Sequence, residues 1–238
     1  MIVRLEPERV RRTLRKNLAT SFGLTLAVGL PLPRPMLDRV AQLRDQIELL
    51  LPGRFRWYAP DHLHATVLAL LRGRYREWPP LQRHELPADL DGFVETLNAC
   101  FGALQPFTLD LDRLLLTPDG QVLAVGPDPG RVRQRVAERL APFPGLDRPK
   151  DPEGWHITLG CLQTPAPTAT KAEQASFEGS WAELRASSLG AMVVDQVWLV
   201  HYADRTLSRI VGKTPLRLGR PDNLTADRLQ DVLGVGPN

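Results

Sequence analysis

The chain has 238 residues, of which 43% are hydrophobic and 24% are charged. These proportions are ordinary for a globular protein and exclude a mainly disordered chain. Its formal net charge of +3 and its sequence pI of about 9.1 favour an anionic ligand without requiring nucleic acid. No segment approaches the roughly 20 apolar residues of a membrane span, so we expect no membrane association and a cytoplasmic location.

The first predicted element is a basic N-terminal extension at residues 1–20. Val10, Leu14 and Leu18 recur there at helical spacing among arginines. This pattern predicts a short helix packed on the body of the protein, with a nucleic-acid-binding arm as the alternative. The next predicted elements are a strand at 22–30, a helix at 36–51, a short strand at 55–58 and a strand at 62–71.

The second half repeats the order strand, helix, proline-bearing loop, strand. Residues 72–91 are rich in Pro and Arg, which predicts an irregular connection. The turn Pro118-Asp119-Gly120 predicts that the strand at 121–126 is the hairpin partner of a strand at 107–112. The other predicted elements are helices at 90–104 and 130–141, a strand at 155–162, a strand pair at 192–202 and 207–218, and a loosely held tail at 220–238.

The same short motif begins the last strand of each half. His64-Ala65-Thr66 and His156-Ile157-Thr158 both precede apolar residues. Side chains alternate between the faces of a strand, so each motif presents one imidazole and one hydroxyl side by side. Two such pairs facing each other would supply an acid, a base and two hydroxyl donors around one phosphate. The alternative is two unrelated histidines bound by backbone groups near strand starts.

These paired motifs resemble the signature of the two-histidine phosphoesterases, which include bacterial RNA 2′,3′-cyclic phosphodiesterases, also called 2′-5′ RNA ligases. The resemblance covers about residues 21–219, leaving the extension at 1–20 and the tail at 220–238 outside it. It implies an α+β fold that is bilobed and pseudo-symmetric, with two βα lobes and mainly antiparallel sheets around a central groove.

The resemblance also implies a function. His64 and His156 would be the catalytic pair, and Thr66 and Thr158 would bind the phosphate of the substrate. The expected activity is metal-independent hydrolysis of a 2′,3′-cyclic phosphate or a 2′-5′ phosphodiester in RNA or a small nucleotide, by acid–base catalysis. We expect a monomer without a cofactor, a bound metal or an obligate protein partner.

Three other functions remain open on the sequence: 2′-5′ ligation of RNA, binding of a nucleotide or RNA without turnover, and hydrolysis of a diester that is not a nucleic acid. A His62-x-His64 metal site is conceivable but needs a third ligand. Cys100 and Cys161 have no metal or redox spacing, so we expect buried, reduced thiols.

Aromatic and basic residues near the motifs are further candidates for substrate contacts. Trp57, Tyr58 and Trp155 could stack on a base or pack in the core. The basic residues that could bind a neighbouring phosphate are Arg54, Arg56, Arg72, Arg148 and Lys150.

Overall fold

The computed structural model describes residues 5–19, 21–75, 89–143, 154–163, 179 and 181–234. The helices used below are α1 Pro7–Leu18, α2 Arg34–Leu50, α3 Leu90–Gly102, α4 Val132–Leu140 and α5 Ala226–Leu233. The strands are β1 Phe22–Val28, β2 Phe55–Trp57, β3 Ala65–Tyr75, β4 Phe107–Leu111, β5 Arg113–Leu116, β6 Gln121–Pro127, β7 Gly154–Leu162, β8 Gly190–Val194, β9 Gln196–Tyr202 and β10 Ile210–Arg217.

Most strands belong to one antiparallel sheet with the order β10-β9-β1-β3-β7-β6-β5, and β2 also pairs with β7. Strands β10, β9, β1 and β3 form the first lobe, and β7, β6, β5 and β2 form the second. The two lobes meet where β3 pairs with β7. Strands β4 and β8 form a separate antiparallel pair.

The predicted half-repeat is confirmed. In the first lobe the order is β1, α2, β3, and in the second it is β6, α4, β7. In each lobe the first strand of this unit pairs antiparallel with the strand that carries the motif: β1 pairs with β3, and β6 pairs with β7. The pseudo-symmetry therefore places both motif strands next to each other in the middle of the sheet.

The core of the first lobe follows directly from the apolar pattern. Every residue of β1 is buried, as the continuous apolar run at 22–30 predicts. Helix α2 buries Met36, Val40, Leu43 and Ile47, which recur at spacings of three and four residues and so share one helix face.

Two strand pairings differ from prediction. The hairpin partner of β6 is β5, whereas β4 pairs with β8. The predicted strand at 192–202 is divided at Asp195 into β8 and β9, which lie in different sheets. The burial pattern explains the division: Met192 and Val194 are buried, and the next buried residue, Val197, is out of phase with them.

Residues 226–233 also differ from the expected loose tail. They form α5, capped by the Thr225 hydroxyl, which accepts a hydrogen bond from the backbone N–H of Arg228 at 3.2 Å. Leu229, Val232 and Leu233 are buried along one face of this helix. The segment after residue 219 is therefore part of the core rather than an appendage, up to the last described residue.

The predicted N-terminal helix is present as α1 and packs on the second lobe. Val10 is 1% exposed. The backbone N–H of Glu6 donates to the Pro118 carbonyl at 2.8 Å, and the Asn17 amide donates to the Tyr58 hydroxyl at 2.8 Å. These contacts tie both ends of α1 to the second lobe.

Within the described residues, no helix has the length and apolar character that crossing a membrane requires. Cys100 and Cys161 are both buried and form no disulfide, as expected. Burial raises the pKa of the Cys100 thiol to about 11.

Candidate active site

The site is built around one cross-strand pair. Ala65 on β3 pairs with Ile157 on β7, and both side chains are fully buried. Because side chains alternate along a strand, the residues on either side of this pair point to the opposite face of the sheet. Each motif has its small or apolar central residue in the core and its two polar residues on the other face.

Antiparallel register then places the four polar residues together. His64 and Thr158 occupy opposing positions, as do Thr66 and His156. Opposing Cβ atoms are typically about 5 Å apart and diagonal ones about 7 to 8 Å. His156 is exposed, and the other three side chains are partly exposed. We call this group of four residues the His/Thr site.

The backbone of the preceding turn orients His64. A short 3₁₀ helix at Pro60–His62 ends just before β3, and the carbonyl oxygen of His62 lies 2.7 Å from Nδ1 of His64. A carbonyl oxygen can only accept a hydrogen bond, so Nδ1 carries the proton. In the neutral ring, Nε2 is then the basic nitrogen.

Burial lowers the pKa of His64 below its ordinary value of 6.5, and the nearby charges of His156 and His62 lower it further. The hydrogen bond from Nδ1 to the backbone opposes this shift only in part. His64 is therefore neutral at neutral pH. The strand register places His156 diagonally across from His64, where Cβ atoms are typically about 7 to 8 Å apart.

The alternative of a metal site at His62 and His64 lacks a third ligand in the part of the chain that the structure describes. No group of three or more His, Cys, Asp or Glu side chains is arranged there to hold a metal ion. The contact of His62 with the site is its backbone carbonyl.

Arg133 is a residue of this region that sequence reasoning missed. Its side chain is buried, its Nε donates to the carbonyl of Val67 at 3.0 Å, and its Nη1 donates to the carbonyl of Gly154. Val67 lies on β3 and Gly154 on β7, beyond the Ala65 pair, where these strands separate. The guanidinium group therefore bridges the two motif strands.

A weak signal for Arg133 exists in the sequence. Arg133 lies three residues before Val136 and seven before Leu140, so it shares the buried face of α4 with them. An arginine on an apolar face indicates a buried charge with specific partners, but the sequence does not say which carbonyls those partners are.

The aromatic candidates have different environments. Trp155 is 1% exposed and its indole N–H donates to Asp128 at 2.7 Å, so it is a core residue. The partly buried Trp57 donates to Glu48 at 2.6 Å. Burial raises the pKa of Tyr58, whose hydroxyl accepts from Asn17.

Two of the basic candidates are described. Arg56 is exposed on β2, and Arg54 is partly buried. The side chain of Arg72 and the residues Arg148 and Lys150 lie outside the described part of the chain.

No family model matches the chain, and no curated protein matches it. Among solved structures, a conserved protein of unknown function, ATU0111 from Agrobacterium tumefaciens, aligns over 88% of this chain and 89% of its own, at 19% identity and a TM-score of 0.52. TT0787 of Thermus thermophilus aligns over 82% of this chain and 98% of its own, at 19% identity and a TM-score of 0.50.

A third solved structure is E. coli LigT in complex with 3′-AMP. It aligns over 83% of this chain and 96% of its own, at 19% identity and a TM-score of 0.48. The two lobes, the antiparallel sheet and the repeat around the motif strands match the α+β architecture expected from the motifs. The chain therefore shares the overall fold of TT0787 and ATU0111.

Proposed function

We propose that this chain is a phosphodiesterase that hydrolyses a 2′,3′-cyclic phosphate or a 2′-5′ phosphodiester of RNA or a small nucleotide. The observation that carries the proposal is the pairing of Ala65 with Ile157, which brings two imidazoles and two hydroxyls to neighbouring positions on one accessible face. A binding module has no need of paired acid and base groups, whereas transfer of two protons at a phosphodiester uses both.

His64 is the general base in this proposal. Its pKa is lowered by burial, so the ring is neutral at neutral pH, and its Nδ1 proton is engaged by the His62 carbonyl. The Nε2 lone pair is therefore available to accept a proton from the attacking water. Proton transfer by a positioned side chain typically contributes about 10² to 10⁴-fold in rate.

His156 is then the general acid. As water oxygen forms its bond to phosphorus, His64 accepts the water proton; as the bond from phosphorus to the ribose oxygen breaks, His156 donates a proton to that oxygen. The product is a phosphomonoester beside a free ribose hydroxyl. The exposed position of His156 leaves it accessible to the departing group.

Thr66 and Thr158 bind the phosphate. Each hydroxyl lies opposite a histidine across the strand pair and can donate to a non-bridging phosphate oxygen. Negative charge on these oxygens grows in the transition state, so preorganised donors stabilise it more than the ground state. No step in this scheme requires a metal ion.

The proposal is tested by incubating the purified full chain with three substrates in parallel: a 2′,3′-cyclic mononucleotide, a short RNA with a 2′,3′-cyclic end, and a 2′-5′ dinucleotide. Phosphorus NMR distinguishes the cyclic diester, the 2′-5′ diester and the monoester. We expect turnover of at least one substrate, with no effect of a chelator.

His64→Ala and His156→Ala should each lower the rate by about 10² to 10⁴-fold while the protein stays folded. His62→Ala is the matched control and should keep its activity, because the carbonyl that orients His64 belongs to the backbone. Full activity in either site variant, or absence of turnover with all three substrates, would contradict the proposal.

A further inference from the structure

The side chain of Cys161, near the end of β7, points to the same face of the sheet as the His/Thr site. Leu123 pairs with Thr158, and Gln121 pairs with Cys161. Gln121 and Leu123 are two residues apart on β6, so they and their partners point to one face. A register shift between these pairs explains why Thr158 and Cys161 share a face although they are three residues apart on β7.

Helix α1 covers this end of the face. The amide of Asn17, in its last turn, lies 3.8 Å from Sγ of Cys161. The start of the helix is bound to Pro118, in the turn between β5 and β6. Helix α1 therefore crosses the strands of the second lobe on the face that carries the His/Thr site. Cys161, which the helix covers, lies three residues from Thr158, or roughly 10 Å along β7.

The orientation of α1 is fixed by Thr13. Its hydroxyl donates to Asp119 at 2.8 Å, and Asp119 lies in the turn beyond the end of the sheet. Successive residues of a helix are rotated by about 100°, so Arg11 and Arg15 lie on the flank opposite Thr13. That flank faces along the sheet toward the His/Thr site, and Arg12 lies beside it on the outward surface.

These residues form a positive surface next to the site. All three arginines are exposed, and Arg11 pairs with Glu8. Within the described chain, Arg12 and Arg15 have no acidic partner. Arg56 on β2 is exposed and pairs in register with Cys161, which places it on the same face. We call Arg11, Arg12 and Arg15 the α1 basic face.

We propose that the α1 basic face, together with Arg56, binds the backbone phosphates of a single-stranded RNA whose cyclic phosphate end occupies the His/Thr site. This inference rests on the proposed function and specifies its substrate class as an oligonucleotide. A mononucleotide with a cyclic phosphate has no further phosphodiester, so the α1 basic face has nothing to bind in that substrate. Arginine binds phosphate oxygens in a bidentate manner, which suits this role.

The test uses the double variant Arg12→Gln/Arg15→Gln in the full chain. Glutamine keeps helix propensity while removing charge. The matched control is Arg135→Gln/Arg139→Gln, which removes two exposed charges from α4. Helix α4 lies on the face of the sheet opposite the His/Thr site. Its Arg133 contacts the ring of Trp155, and Trp155 points to the opposite face from its neighbour His156 on β7.

Two measurements decide the inference. The first compares KM for a 2′,3′-cyclic mononucleotide with KM for a short RNA with a 2′,3′-cyclic end. The second measures binding of a fluorescent RNA with a 3′-phosphate, which is not turned over, by anisotropy at several salt concentrations. We expect the α1 variant to bind the RNA on the order of tenfold more weakly, with a salt slope smaller by about 1 to 2.

The mononucleotide should be hydrolysed at an unchanged rate by both double variants. Equal losses with the two substrates, or equal RNA binding by the α1 and α4 variants, would overturn the inference. If the wild-type chain turns over neither of these substrates nor the 2′-5′ dinucleotide, the proposed function fails, while the anisotropy comparison still decides whether the α1 basic face binds RNA.

Discussion

Nε of Arg133 donates to the carbonyl oxygen of Val67 at 3.0 Å, from a side chain that is 6% exposed. A second nitrogen of the same guanidinium donates to the carbonyl of Gly154. Strands β3 and β7 separate at this point, so the arginine replaces backbone hydrogen bonds that the two strands no longer make to each other. Arg133 therefore adds a second link between the two motif strands, next to the Ala65–Ile157 pair.

Replacing Arg133 should loosen the His/Thr site as well as the fold. Arg133→Met leaves two buried carbonyl groups without their donor, and we expect a loss of about 3 kcal/mol in the free energy of unfolding. Urea denaturation measures this loss. Below the unfolding transition, the pKa of His64 should rise, because His156 moves away from it.

Arg139→Met is the control for this experiment, since Arg139 lies on the exposed face of the same helix. It should change neither the unfolding free energy nor the pKa of His64 appreciably. An Arg133→Met protein with wild-type stability and an unchanged His64 titration would contradict the bridging role.

Arg133 illustrates what the sequence could and could not predict. The motif strands and the half-repeat can be predicted from local patterns. The period-two alternation of strands and the three- and four-residue spacing of helices can both be recognised from the apolar residues of a single segment. The partners of Arg133 are carbonyls of two other strands, and the pairing of β4 with β8 joins segments about 80 residues apart. Such contacts depend on tertiary packing, which no local pattern encodes.

The same limit applies to the site. Strand periodicity predicts that each histidine shares a face with its threonine, and the half-repeat gives a reason for the two pairs to meet. The register that sets His64 opposite Thr158, and the carbonyl of His62 that orients the ring, follow only from the folded chain. The sequence does not predict α5 as part of the core, because a short amphipathic helix is marginal alone and is stabilised by packing.

The pH dependence of activity should report His64. Because burial and His156 lower the pKa of His64, the base is neutral down to a pH below 6.5, and the acid limb of kcat/KM should lie below that value. In His156→Gln, the pKa of His64 measured by NMR should move up. An unchanged His64 pKa in this variant would show that the two imidazoles do not interact.

The Thr158 hydroxyl should contribute to the rate rather than to the fold. Thr158→Val keeps a β-branched side chain on β7 but removes the donor, and we expect kcat to fall by about 10² to 10³-fold, as for loss of one oxyanion donor. Thr158→Ser restores a hydroxyl and should recover most of the activity. Equal kcat for the valine and serine variants would exclude a role for the hydroxyl.

Acid should destabilise the fold through His64 and His201. Burial lowers the pKa of both His64 and His201 below 6.5. As the pH falls through 6.5, the unfolded chain takes up these protons before the folded one does, so stability decreases, and it levels off below the folded pKa values. The urea midpoint should therefore be lower at pH 5.5 than at pH 7.5, and less so in His201→Gln. Equal midpoints at the two pH values would contradict this linkage.

The C-terminal helix should be required for stability. Leu229 is 1% exposed on α5, and Leu229→Ala removes buried methyl groups and leaves a cavity, which typically costs about 2 to 5 kcal/mol. The neighbouring Arg228 is exposed, so Arg228→Ala should leave the free energy of unfolding nearly unchanged. Urea denaturation of the two variants compares a core position with a surface position on one helix. If both variants had the stability of the parent chain, α5 would be an appendage, as the sequence alone predicts, rather than part of the core.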